Sequence, residues 1–119
     1  MKRILLSMVM VSMASFFAFG GDQPTFPGGE EALKAYIEKN IKYPEMAKEN
    51  GIEGVVEVGF IVDIDGTLKE IKVIRMIDPD LEKEAVRIVA SMPAWKPAEK
   101  DGTPIEAPSQ VEIPFILDE

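Results

Sequence analysis

The chain has 119 residues, with 21 acidic against 13 basic side chains and a formal net charge of −8, a length that allows one small domain. It contains no Cys and no His, which excludes a disulfide framework and removes the commonest general base and transition-metal ligand. The negative charge argues against nucleic acid and anionic membrane surfaces as partners, because both are bound through Lys and Arg.

The first 20 residues have the pattern of an export signal. Lys2 and Arg3 precede an uncharged apolar run, and the small residues Ala18 and Gly20 occupy the positions that a signal peptidase reads. The run is shorter than the roughly 20 residues that a membrane-spanning helix needs. We therefore interpret residues 1–20 as a cleaved signal peptide, with a short membrane anchor as the alternative.

Two helices are predicted after a linker. Residues 21–29 read GDQPTFPGG and are expected to form a short Pro- and Gly-rich linker before a domain that covers 30–119. Glu30 to Asn40 predicts a helix, because acidic residues fill its first turn and apolar residues recur at helical spacing. Pro44 suits the first turn of a second, short helix over 45–50.

A β-hairpin is the clearest pattern in the chain. The stretch VVEVGFIVD alternates between apolar and other residues, which predicts a strand with one buried face. The residues on that face are Val56, Val58, Phe60 and Val62. Asp65 and Gly66 predict a tight turn, because Gly accepts the positive φ that such turns require. The return strand, LKEIKVIRM, places Ile71 and Val73 on the buried face.

A third helix and a long loop follow the hairpin. Asp78 and Pro79 are typical of a helix start, and the apolar residues from Leu81 to Met92 recur at helical spacing until Pro93 stops the run. The loop after it contains Trp95, the only tryptophan. We expect Trp95 to be a core anchor, because a tryptophan buries a large apolar area.

The last predicted strand is QVEIPFIL, 110–117. Val111, Ile113, Phe115 and Leu117 alternate with Glu112, Pro114 and Ile116. Because proline cannot donate to a hydrogen-bond ladder, Pro114 indicates an edge strand. On the residues alone, we favour the interpretation that Pro114 guards this edge against self-association. The order of elements predicts an α+β fold, in which two main helices cover one face of a three-stranded antiparallel sheet.

The segment from Tyr43 to Ile105 resembles the C-terminal domain of the TonB family. The residues that carry the resemblance are Tyr43, Pro44, Ala47, Ile52, Glu53, Gly54, Asp65, Gly66, Val73, Leu81, Ala85, Trp95, Lys96, Pro97, Gly102, Thr103 and Pro104. The preceding FPGGEEALKAYIEKNIKYP is similar to an extended form of this domain. We expect five of these residues to be structural: Pro44, Gly54, Gly66, Trp95 and Pro97.

The resemblance implies a periplasmic protein of TonB-dependent transport across the outer membrane. TonB domains bind a short extended peptide, the TonB box of outer-membrane transporters, at the edge of their last strand. The residues implied in peptide binding are Gln110, Val111, Glu112, Ile113, Pro114, Phe115, Ile116, Leu117 and Tyr43. Five or six new hydrogen bonds of about 0.5–1.5 kcal/mol each, less the ordering of the peptide, predict roughly micromolar binding.

Two departures from the family pattern keep an alternative open. An energy transducer of this family has a histidine in its membrane helix and a long proline-rich linker, whereas this chain has no histidine and only the linker predicted at 21–29. The alternative is an accessory periplasmic protein that forms a homodimer through the same edge and has no energy-transducing role. We expect no enzymatic activity, small-molecule substrate, cofactor or metal, because His, Cys and a nucleophile motif such as G-x-S-x-G are missing.

Overall fold

The structure, a computed structural model, describes residues 3–4 and 22–118. Most of the predicted signal peptide lies outside these residues. Within them, no helix is long and apolar enough to cross a membrane. The elements in chain order are β1 (Arg3–Ile4), α1 (Glu30–Asn40), α2 (Glu45–Glu49), β2 (Gly54–Val62), β3 (Leu68–Arg75), α3 (Pro79–Ala90), β4 (Ala98–Lys100), β5 (Thr103–Ile105), β6 (Ala107–Phe115) and β7 (Leu117–Asp118).

The predicted α+β fold with a three-stranded antiparallel sheet is confirmed. Its strand order is β3-β2-β6, with β2 in the centre. One face of the sheet packs against α1 and α3 around a single apolar core. The four predicted inward residues of β2 are all buried, together with Leu33 and Ile37 of α1 and Ile88 of α3. Burial of these side chains is the main driving force for the fold.

The helices begin and end where local signals place them. α1 spans Glu30–Asn40, as predicted, and α2 ends at Glu49, one residue before the predicted end. Asp78 caps α3, because its carboxylate accepts hydrogen bonds from the backbone N–H groups of Asp80 and Leu81 at 3.0 and 3.1 Å. This contact satisfies two of the N–H groups that a helix start leaves without a partner.

The segment predicted as a linker packs against the domain instead. The Asp22 and Thr25 N–H groups donate to the carbonyls of Glu99 and Lys96 at 2.9 and 3.0 Å. Phe26 is buried, with its ring centroid 5.8 Å from that of Trp95 in an edge-to-face contact. The Pro- and Gly-rich composition of this segment predicts a linker, but its one aromatic side chain, Phe26, is part of the core.

Trp95, for which we predict burial, is 2% exposed. Its ring lies edge-to-face against Phe60 of β2, with the ring centroids 5.1 Å apart. The backbone N–H group of Trp95 also donates to the Gly66 carbonyl at 2.9 Å. This residue therefore ties the loop before β4 to the hairpin turn and to the centre of the sheet.

Candidate functional site

The outer edge of β6 is the candidate site. β6 pairs with β2 along its whole length, from Gly54 opposite Phe115 to Val62 opposite Ala107, without a register shift. The part of the chain that the structure describes places no second strand beside Ala107–Phe115. β6 therefore presents one row of backbone groups that its own sheet does not use.

The observed strand differs at both ends from the predicted 110–117. β6 begins at Ala107, because its first three residues pair with the end of β2. At the other end Ile116 lies outside any strand, and Leu117 belongs to β7, where it pairs with Ile4. The free edge thus covers 107–115, and Leu117 is paired within the chain.

The positions of two prolines identify which backbone groups face outward. Pro108 and Pro114 both lie in the unbroken ladder, opposite Ile61 and Val55. In an antiparallel pair, alternate residues direct their N–H and C=O groups to the same side, and proline is tolerated only where that side is the open one. The even-numbered positions of β6 therefore face the free edge. Gln110 and Glu112 offer an N–H and a C=O each, Pro108 offers only its C=O group, and Pro114 is buried.

The side chains of β6 divide between the two faces of the sheet. Val111, Ile113 and Phe115 are completely buried in the core. Gln110 and Glu112 lie on the opposite face and are half-buried, and Pro114, on that same face, is buried. Because the buried set fixes the register of β6, the same side chains also fix which backbone groups lie along the free edge.

An uncompensated negative charge lies on this outer face beside the edge. Glu112 is directly opposite Glu57 of β2, and Glu57 is opposite Arg75 of β3. Burial raises the pKa of the Glu112 carboxyl, the charge of Glu57 raises it further, and Arg75 opposes the shift. The row across the sheet therefore carries one positive and two negative side chains.

A shallow groove of about 300 Å³ lies next to this row on the same face. Gly59 forms part of its lining and contributes no side chain, while Ile61, Ile74 and Pro108 provide apolar walls. Gln110 lines it on the β6 side, and Glu70 and Lys72 line it on the β3 side. The groove therefore adjoins the free edge.

Tyr43 supports the end of β6 from the core side. Its ring lies edge-to-face against Phe115, with centroids 5.6 Å apart. Its hydroxyl donates to the Ile52 carbonyl and lies 3.5 Å from the Phe115 carbonyl. Burial, with smaller contributions from the charges of Glu53 and Asp78, raises the pKa of Tyr43 to about 12. The hydroxyl therefore stays protonated and able to donate, and a role of Tyr43 in peptide binding remains a prediction.

The other residues expected to be structural lie at chain turns and close contacts. Pro44 precedes α2 as its cap. Gly54 begins β2, and a Cβ atom there would lie 2.7 Å from Cγ2 of Ile77. Gly66 has a φ of +87° in the hairpin turn. Pro97 follows Lys96, which bonds to Thr25.

Sequence reasoning gave two residues near the edge no role there. Glu53 accepts a hydrogen bond from the Leu117 N–H group at 2.8 Å and so holds the chain after β6. Gly59 lets the side chain of Ile74 lie across β2 at the groove, since an added Cβ atom would be 2.8 Å from Cδ1 of Ile74. A glycine inside a strand often marks a bulge or a close approach, and the register with β3 shifts after Gly59, so Gly59 carried a signal. Glu53 is one of the residues of the family resemblance, but nothing in the sequence indicated its contact with Leu117.

Comparison with known proteins agrees with this architecture. The sequence model of the Gram-negative bacterial TonB protein C-terminal domain matches residues 39–117. An NMR structure of the Helicobacter pylori TonB C-terminal domain is 24% identical, with 78% of this chain and 88% of that chain covered and a TM-score of 0.58. An NMR structure of a shorter fragment of that domain is 26% identical, with 73% and 94% covered and a TM-score of 0.53.

No curated protein matches the chain. The structural likeness supports the fold, and the sequence match extends over most of the chain, including the hairpin, α3 and β6. The resemblance noted from the sequence is thereby confirmed. The chain belongs to the TonB C-terminal domain family.

Proposed function

We propose that this protein is a periplasmic TonB-like module that binds the TonB box of an outer-membrane transporter as an added strand on β6. Its family consists of non-enzymatic interaction domains of TonB-dependent transport, which are periplasmic in general. The observation that carries the proposal is the outer edge of Ala107–Phe115, which has no strand partner within the described residues.

The edge offers enough hydrogen bonds for measurable binding. Gln110 and Glu112 supply two donors, and these residues with Pro108 supply three acceptors, since Pro114 is buried. At about 0.5–1.5 kcal/mol each, less the ordering of the peptide, five such bonds correspond to roughly micromolar affinity. The two prolines restrict the donors to the middle of the strand, so an extended peptide binds best when it is centred near Val111.

Proline substitution on the edge tests this directly. We expect Gln110→Pro to weaken binding of a ten-residue TonB-box peptide by about tenfold, because it removes one of two donors and places a ring at the edge. The ladder with β2 stays intact, since Pro108 and Pro114 already occupy equivalent positions. Isothermal titration calorimetry on the full-length chain measures the change.

The matched control is Gln110→Ala, which keeps the N–H group and removes the side chain. It should bind within about threefold of the unmodified protein, and amide spectra should show that both variants remain folded. Peptide affinity that is the same for Gln110→Pro and Gln110→Ala would contradict strand addition at this edge.

Self-association is the second candidate, and the spacing of the prolines favours it specifically. Pro108 and Pro114 are equidistant from Val111, so two copies paired antiparallel about Val111 would place Gln110 of one opposite Glu112 of the other. The missing proline donors would then face each other at both ends. Sedimentation at low and high protein concentration tests this, and a strictly monomeric chain excludes the dimer.

A further inference from the structure

We propose that β6 selects among extended peptides by charge and shape. The preferred peptide carries a basic side chain beside Glu112 and an apolar side chain two positions away, beside Gln110. This inference rests on the strand addition proposed above and specifies which peptides that edge accepts. It follows from two adjacent rows of side chains on the outer face of the sheet.

The first row is electrostatically incomplete at its open end. Arg75, Glu57 and Glu112 are consecutive across β3, β2 and β6, and directly opposed side chains in such ladders have Cβ atoms about 4.5–5.5 Å apart. Among the described residues, neither Glu57 nor Glu112 forms a salt bridge or a side-chain hydrogen bond. Like charges directly opposite each other are unfavourable, and only Glu57 has a cation on its other side.

An added strand would supply the fourth position of that row. In an antiparallel added strand, the residue opposite Glu112 lies on the same face and forms a hydrogen-bonded pair with it, with Cα atoms about 5.5 Å apart. The non-hydrogen-bonded pair of Glu57 and Glu112 is closer, at about 4.5 Å. A Lys or Arg there completes an alternation of charge at the open end. An Asp or Glu there would be the third acidic side chain in succession and would be repelled.

In the second row, the β2 position that Glu57 occupies in the first row is a glycine. Lys72, Gly59 and Gln110 are consecutive across the same three strands. Because Gly59 has no side chain, the side chain of Ile74, which is 49% exposed, lies over it. The groove is lined by Ile74 on one side and by Gln110 and Pro108 at the free edge. An apolar side chain of the added strand beside Gln110 can bury part of its surface there.

The two rows together define a short pattern. Residues two positions apart in an extended peptide lie on the same face, as Gln110 and Glu112 do. An antiparallel peptide would read basic-x-apolar from its N-terminus, and a parallel peptide would read apolar-x-basic. The orientation decides the order, and the pair of side chains is the same in both cases.

Charge reversal at residue 112 tests the first row. Four ten-residue peptides with an otherwise identical, uncharged sequence carry Lys-Val-Leu, Glu-Val-Leu, Leu-Val-Lys or Leu-Val-Glu at the centre. With the full-length chain at low salt, we expect the better Lys peptide to bind about fivefold or more tightly than the Glu peptide of the same order. The preference should shrink in Glu112→Gln, reverse in Glu112→Lys and weaken at high salt.

Glu31→Gln is the matched control for overall charge. Glu31 lies in the first turn of α1, outside the sheet, and is exposed. The substitution changes the net charge as Glu112→Gln does, so the Lys-over-Glu preference should stay within about twofold of the unmodified protein. An equal loss in both variants would mean that the net negative charge, and not Glu112, sets the preference.

Filling the groove tests the second row. In Gly59→Ala the new Cβ would lie 2.8 Å from Cδ1 of Ile74, the end of an exposed side chain that can shift into the groove. We expect a peptide with Leu beside Gln110 to lose most of its advantage over the same peptide with Ser. The Lys-over-Glu preference should remain. An unchanged Leu advantage would overturn the groove as the apolar subsite.

The outcomes separate this inference from the proposed function. If peptides perturb the amide signals of Gln110 and Glu112 but Lys and Glu peptides bind equally, the selectivity is wrong and strand addition stands. The same conclusion follows if Glu112→Lys keeps the original preference. If none of the four peptides and no TonB-box peptide binds at millimolar concentration, both proposals are overturned.

Discussion

Replacing Trp95 by alanine is expected to lower the free energy of unfolding by about 3–5 kcal/mol. The ring is 2% exposed and makes edge-to-face contacts with Phe26 and Phe60. Its removal therefore leaves a large cavity between residues 22–29 and the sheet. A loss of this size is a substantial part of the 5–15 kcal/mol by which a typical domain is stable. Urea unfolding followed by circular dichroism measures it.

Trp95→Phe is the matched control. Among the residues that the structure describes, the Trp95 indole Nε1 has no hydrogen-bond partner, so phenylalanine removes volume without breaking a polar contact. We expect it to cost less than half as much as alanine. Equal losses for the two variants would contradict aromatic packing as the main source of the stability. A loss below about 1 kcal/mol for alanine would contradict the role of Trp95 as a core anchor.

Replacing Gly66 by alanine should have the second large effect. Gly66 has a φ of +87°, and an added Cβ atom would lie 2.1 Å from the backbone carbonyl oxygen of Trp95. The Cβ atom would therefore clash with backbone, which cannot move aside as a flexible side chain can. The backbone N–H group of Trp95 donates to the Gly66 carbonyl at 2.9 Å, so the two segments cannot separate without losing that hydrogen bond. We expect a loss of about 3 kcal/mol or more in the free energy of unfolding.

Gly102→Ala separates the two causes of that loss. Gly102 has a similar φ of +79°, but an added Cβ atom would meet nothing within 4 Å. Only the backbone conformation is penalised, which costs about 1–2 kcal/mol. In thermal and urea unfolding, the free energy of unfolding of Gly66→Ala should therefore be clearly lower than that of Gly102→Ala. Equal destabilisation would mean that the contact between the hairpin turn and the Trp95 loop is unimportant.

Local signals account for most of the correct predictions from the sequence. α1 has the predicted bounds, and Asp78 and Pro79 begin α3, because caps and helical periodicity are properties of consecutive residues. The alternation of β2 gave its buried face for the same reason. The fold class follows from the order of such elements.

The features that sequence reasoning missed depend on partners far along the chain. Phe26 is buried because Trp95 lies beside it, and no composition rule links two residues so far apart. β6 begins at Ala107 because β2 is long enough to pair with it. Likewise, Pro114 indicated an edge strand. That the backbone N–H groups of Gln110 and Glu112 face the open side follows only once the unbroken register of β6 with β2 is known.

The charged row shows the same dependence on register. Glu57 and Glu112 are each compatible with a solvated strand face when the sequence is read alone. Only their direct opposition places two like charges beside the open edge. A one-residue shift of β6 would reverse both the buried face and the donors that face outward, so site and core depend on the same alignment.

Amide hydrogen exchange of β6, measured with and without a saturating TonB-box peptide, tests strand addition most directly. In the free protein, the N–H groups of Gln110 and Glu112 should exchange much faster than those of Val111 and Ile113, which face β2. Peptide should slow the first two by about tenfold or more and change the second two little. Unchanged exchange at Gln110 and Glu112 in the saturated complex would contradict the account.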